Sequence, residues 1–199
     1  MTNLNYKQLT FAREFRGYSQ TELAKEINGL SQSNLSKYEK GLGSLSDDLT
    51  IKIISFLDFP ESFLSKSISN IAETANYRKR TTITKKTRTK IEYSNRIVGF
   101  IIDQMTDSIE WPEFALRPLD VEDGYTPEYI ATYTRNLLKL SVGEPVKNIV
   151  NLLESFGIII VEIDAVDKFD GVSFLTDKGH PVIVINKSFS NDRKRFTIA

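Results

Sequence analysis

The chain has 199 residues, 40% of them hydrophobic, which is enough to bury one good core or two small ones. No apolar run approaches the roughly 20 residues that span a bilayer, and the N-terminus Met1–Thr10 lacks the basic and apolar regions of a signal peptide, so no membrane partner and a cytoplasmic location are expected. With no cysteine and one histidine, His180, disulfides and the usual soft-ligand metal sites are excluded for these residues; the formal net charge of zero is spread unevenly, at −1 over residues 1–75, +7 over 76–98 and −6 over 99–199.

The first zone reads as a bundle of short helices. A helix over about Tyr6 to Arg16 ends at Gly17, which accepts the left-handed backbone expected just past a helix end. In "SQTELAKEIN", Ser19 and Glu22 have the spacing of a capping box, and Leu23, Ala24 and Ile27 fall on one helical face. After the turn Asn28-Gly29-Leu30, "SQSNLSKYEKG" supplies a start signal at Ser31, a buried stripe at Leu35 and Tyr38, and a stop at Gly41. Two short helices around a glycine-containing turn form a helix-turn-helix. Further helices are predicted near Asp47 to Leu57 and Pro60 to Ser65.

"YSQTELAKEI" and "LSQSNLSKYEKG" resemble the XRE/Cro-type helix-turn-helix of phage repressors and bacterial regulators, over about Leu9 to Leu64. The turn is one residue longer than the usual form. The resemblance implies a mainly α, five-helix, lambda-repressor-like DNA-binding domain over residues 1–66. A recognition helix presents its N-terminal side chains to base edges, here Gln32, Ser33, Asn34, Ser36 and Lys37. Gln and Asn can pair bidentately with adenine, and Lys can reach guanine acceptors. Gln20, heading the preceding helix, is expected at the phosphate backbone, with Lys40 a second phosphate candidate. One recognition helix covers a half-site, so a homodimer on a double-stranded operator is expected. The competing reading makes Ser31 to Gly41 a polar surface helix.

The basic stretch "YRKRTTITKKTRTK" lies within a linker assigned to residues 67–98. It reads either as a solvated tether or as a DNA-contacting arm that adds counterion release. Its β-branched threonines disfavour an isolated helix. In "IEYSNRIVGFIIDQM", the apolar residues Ile97, Val98, Ile101, Ile102 and Met105 predict an amphipathic helix packed on the third zone.

Residues 99–199 read as an α+β domain with a small sheet. A connector containing Asp120, Glu122 and Asp123, read as a solvated acidic face, leads to a helix capped by Thr126 with Pro127 at its first position, ending near Leu140. Another helix is predicted from Pro145 to Ser155. Strands follow at Ile158–Ile163, Gly171–Leu175 and Pro181–Asn186, the last two joined by a turn in which Gly179 can take a positive φ. "NDRKRFTIA", Asn191 to Ala199, then opens a new helix.

The order from Pro127 to Ala199, and "DRKRFTIA" most specifically, resembles the ImmA/IrrE family of metallopeptidase-like domains, an incomplete zincin-like fold here. That resemblance implies a His-Glu-x-x-His zinc motif in the residues next expected, none of which this sequence holds, and a surface around Phe196 left for a covering element. No catalytic residue or metal ligand is assigned within these 199 residues, and His180 reads as a surface residue. Zinc is implied only for a longer protein. The expectation is a sequence-specific DNA-binding transcriptional regulator with a peptidase-like regulatory domain. The alternatives are a zinc metallopeptidase that cuts a partner repressor and an antitoxin-like protein-interaction module.

Overall fold

A computed structural model describes residues 5–64, 76–79, 84–114, 116, 119, 121–141, 143–166 and 168–199. Asp120 and Ser65, which the sequence reading had placed, lie outside the described residues. The chain divides into two compact units, Met1–Asn70 with Ile83–Val98, and Ile71–Thr82 with Gly99–Ala199.

In the first unit, side-chain caps decide where the helices begin. α1 (Tyr6–Phe15) follows Asn5, whose Oδ1 accepts the Lys7 N–H at 3.0 Å. α2 (Gln20–Glu26) starts in the expected capping box, with the Glu22 N–H donating to Ser19 Oγ at 3.2 Å and the Ser19 N–H to Glu22 Oε2 at 2.7 Å. Each bond satisfies an amide that the first turn leaves orphaned. α3 (Gln32–Glu39) is capped by Ser31, and α4 (Asp47–Leu57) by Ser46. A single helical turn, α5 (Glu61–Leu64), follows. Leu9, Ala12, Leu23, Ile27, Leu30, Leu35, Ile53, Leu57 and Leu64 form one buried core beneath these elements.

The basic stretch is ordered where it is described. Asn76–Lys79 form a strand, β1, and α6 (Lys85–Met105) begins well before Ile91. The Thr84 Oγ1 accepts the Thr87 N–H at 3.2 Å, and Arg88 pairs with Glu92 one turn on at 2.7 Å. These contacts offset the poor helix propensity of the threonines. As far as Val98, α6 belongs to the first unit. There Tyr93 sits edge-on to Phe11, centroids 4.6 Å apart, and the Arg96 guanidinium lies 5.1 Å from both rings. The predicted packing of this helix on the third zone is therefore met only by its last turns.

The second unit contains α7 (Pro127–Leu137), α8 (Ile149–Glu154), β2 (Ile159–Ile163), β3 (Phe169–Leu175), β4 (Pro181–Asn186) and α9 (Asn191–Ile198). α8 is shorter than predicted because Asn148, not Pro145, caps it, its Oδ1 accepting the Asn151 N–H at 3.1 Å. The sheet order is β1-β3-β4-β2, with β3 antiparallel to β1 and β4, and β2 parallel to β4. Val172, Phe174, Val182 and Val184 are buried on one face. On the other face α9 crosses close to Gly171, where an added Cβ would lie 2.9 Å from Thr197 Cγ2 and 2.8 Å from the Val184 carbonyl oxygen.

The basic run of α9 has a structural account. Arg193 pairs with Asp170 on β3, Lys194 Nζ reaches both Glu162 oxygens on β2 at 2.9 and 3.0 Å, and Arg195 donates to the Val146 and Lys147 carbonyls. Three consecutive cations thus tie the helix down. Phe196 faces outward, 68% exposed.

Candidate nucleic-acid interface

The angle between α2 and α3 is set by a short apolar hinge. Ile27 and Leu30, on either side of Asn28-Gly29, are both buried in the core. Gly29 has φ +86°, and the nearest atom to an added Cβ would be Leu49 Cδ2 at 3.7 Å. Backbone handedness, not crowding, therefore requires glycine there.

Along α3, successive residues turn by about 100°. Leu35, Tyr38 and Glu39 point inward. Ser33, Ser36, Lys37 and Lys40 consequently share the outward face, with Gln32 at its edge beside Glu39 and Asn34 on the far flank. Gln32, Ser33, Asn34, Lys37 and Lys40 are exposed, and Ser36 is half-buried. Among the described residues, the side chains of Asn34, Lys37 and Lys40 have no polar partner.

Behind this face runs a chain of polar contacts that fixes the head of the helix. The buried Arg13 donates to Glu39 Oε1 from Nε at 2.6 Å and to Oε2 from Nη2 at 2.8 Å, a bidentate ion pair. Its Nη1 donates to the Tyr18 carbonyl at 2.6 Å, and Nη2 reaches Glu14 at 3.2 Å. Gln20 Nε2 donates to Glu39 Oε2 at 2.7 Å, and Gln32 Nε2 donates to Gln20 Oε1 at 2.9 Å. The direction of this relay follows from chemistry. An ionised carboxylate only accepts, so the amide nitrogen of Gln20 must face Glu39 and its oxygen must face Gln32. Exposed Gln32 is then left with Oε1 and one N–H uncommitted, the donor–acceptor pair that adenine presents a match for.

At the other end of the relay, Tyr93 of α6 donates its hydroxyl to Glu14. Burial, then the hydrogen bond and negative charge of Glu14, push the Tyr93 phenol well above the ordinary tyrosine value, so it stays a neutral donor. Burial alone would lower the Arg13 pKa; its hydrogen bonds and the charges of Glu39 and Glu14 outweigh that and raise it. Thr89 of α6 lines the same shallow depression as Gln20 and Gln32.

The structure thus brings Gln20 and Gln32 together, groups Ser33, Ser36, Lys37 and Lys40, and sets Asn34 apart. Gln20, expected at phosphate, has both ends of its amide engaged and one N–H left over. Arg13, Glu14, Glu39 and Tyr93 were missed by the sequence reading. The signal was present in two places, since Arg13 follows Leu9 at i+4 on the buried side of α1 and Glu39 follows Leu35 likewise on α3. Opposite charges inside two facing apolar stripes announce a buried pair.

Among its described residues, the second unit offers no comparable constellation. His180 sits in the β3–β4 turn, its N–H donating to Thr176 Oγ1 at 3.1 Å and its carbonyl accepting from the Thr176 N–H at 2.9 Å. Among the described residues, no group of His, Asp and Glu could hold a metal ion. The described residues do not fit a zinc shell.

The first unit contains a helix-turn-helix, formed by α2 and α3. Residues 11–64 match the family described as helix-turn-helix. No curated protein and no solved structure matches the chain. No helix among the described residues is long and apolar enough to cross a membrane.

Proposed function

We propose that this chain is a sequence-specific DNA-binding transcriptional regulator that lays α3 in the major groove of double-stranded DNA. The observation that supports this most is the Arg13–Glu39–Gln20–Gln32 relay, which pre-orders a base-reading amide within the stretch matching the helix-turn-helix family. Gln32 pairs with adenine, Ser33, Ser36 and Lys37 read neighbouring edges, and Asn34 contacts the groove flank. Lys40 and the spare N–H of Gln20 hold phosphates, positioning without specifying. The basic stretch adds counterion release. A homodimer places two recognition helices about one helical turn, ~34 Å, apart on an operator. The protein acts in the cytoplasm, and the second unit regulates it.

The test is selection of bound sequences from a random duplex pool by the full chain. Wild type should enrich a paired half-site, and Gln32→Ala should lose the preference while keeping salt-sensitive, non-specific binding. Enrichment of the same site by the variant would remove Gln32 from the reading role.

A second reading for residues 127–199 is favoured by the succession of α7, α8, the sheet and α9, which is the order of the ImmA/IrrE resemblance. In that reading a longer protein is a metallopeptidase acting on a partner repressor. Zinc content and repressor cleavage by such a protein separate it from the first. An antitoxin-like interaction module is separated by showing no salt-dependent DNA binding.

A further inference from the structure

The second unit contains a cavity of about 560 Å³, lined by residues of that unit. Its size lies within the roughly 300–1,000 Å³ of small-molecule sites. One wall is a sheet face. The register sets Ser173 opposite Ile183 and Leu175 opposite Pro181, so these four side chains share that face. The facing wall is α7, which contributes Ile130, Tyr133 and Thr134 at i, i+3 and i+4.

These walls are incompletely packed. No residue of α7 is buried, although its apolar and polar residues are segregated into faces. Ile130, Tyr133 and Ile183 are only half-buried, and Leu175 is 49% exposed. A helix laid on a sheet normally interdigitates to the density of an organic crystal, leaving few voids larger than water. Here the layer holds a space large enough for a guest.

The wall chemistry narrows the class of guest. No charged side chain lines the cavity among the described residues. A charged ligand would shed its hydration there with no charged group of these described side chains to replace it. Three wall residues bear hydroxyl groups, Tyr133, Thr134 and Ser173, and these side chains form no hydrogen bond among the described residues. We infer that this cavity binds a neutral, mainly apolar small molecule bearing a hydroxyl or carbonyl group, its body against Ile130, Leu175 and Ile183 and its polar group held by the wall hydroxyls. Binding there stands independently of DNA recognition; its role as an effector site rests on the proposed regulatory function.

The test titrates the full chain, without DNA, with a neutral phenylnaphthylamine fluorophore, then competes it with decanol or decanoate. The inference expects saturable one-to-one binding, displaced by decanol far more readily than by its charged counterpart. Thr134→Phe fills the cavity from α7 and should weaken fluorophore binding by about tenfold or more with an unchanged circular-dichroism melt. Thr132→Phe, on the other side of the helix, should leave binding intact. If Thr134→Phe does not fold, Ser173→Phe fills the space from the sheet. Unsaturable binding, equal affinity in a folded filling variant, or equal displacement by decanoate would overturn the site. So would a concentration-dependent dimer that the filling variant dissociates, since a second copy would then be the occupant. Retained fluorophore binding with no change in duplex affinity would leave the site and remove the effector role.

Discussion

Replacing Arg13 with Met tests the relay at its anchor. Arg13 and Glu39 have side chains only 6% and 5% exposed, joined by two charge-assisted bonds of 2.6 and 2.8 Å. Removing the cation leaves the Glu39 carboxylate buried without its partner, and also deprives the Tyr18 carbonyl of its 2.6 Å donor. Breaking a buried pair from one side costs about 3–5 kcal/mol. That is a large share of the ~5–15 kcal/mol by which domains are stable. The double variant Arg13→Met/Glu39→Leu removes both charges and should return to within about 2 kcal/mol of wild type, because apolar replacements of a buried pair are often neutral. It should nevertheless fail to discriminate DNA sequences, since Gln20 has lost the acceptor that orients it. Urea unfolding followed by far-ultraviolet circular dichroism reports the helices of both units. The only tryptophan, Trp111, belongs to the second unit and donates to the Gly157 carbonyl at 3.2 Å, so its fluorescence reports that unit separately. A loss below about 1 kcal/mol in Arg13→Met, or a double variant no more stable than the single one, would refute the reasoning.

Gly29→Ala forces a side chain into φ +86° and should cost about 1–2 kcal/mol in the same denaturation assay, with weaker DNA preference as α3 shifts. Leu35→Ala, fully buried beneath the recognition face, should cost about 2–5 kcal/mol by the same measurement. The raised Tyr93 pKa means the folded state holds its proton more tightly than the unfolded state. Stability from it is full below the ordinary tyrosine value of 10.0 and declines as pH rises through the folded value. Tyr93→Phe should therefore flatten the alkaline limb of a stability–pH profile, leaving the contribution of Tyr38, which burial shifts the same way.

How much was legible depended on which forces placed each element. Ser19 with Glu22, Ser31 and Thr126 begin their helices where the sequence predicts, because a cap is a contact between residues a few positions apart. α4 and β4 fall on Asp47–Leu57 and Pro181–Asn186 as read, each having one strong apolar period. β1 escaped because "NYRK" has no alternation, and its place comes from pairing with Ser173 to Phe169 far along the chain. α6 escaped at its start because its threonines argue locally against a helix that packing against Phe11 supports. At the candidate interface, residue types at the head of α3 were readable from the motif. The orientation of Gln32 was not, since it depends on Arg13, Glu39 and Gln20 meeting across three helices.

The proposed role of Gln32 is to read an adenine with its exposed amide. It is tested most directly by a double-mutant cycle across the interface, using the operator enriched by wild type and the same duplex with N7 of the assigned adenine replaced by carbon. Wild type should lose about 1–3 kcal/mol on the altered duplex while Gln32→Ala loses nothing further. An equal loss for both proteins, or none for wild type, would contradict it.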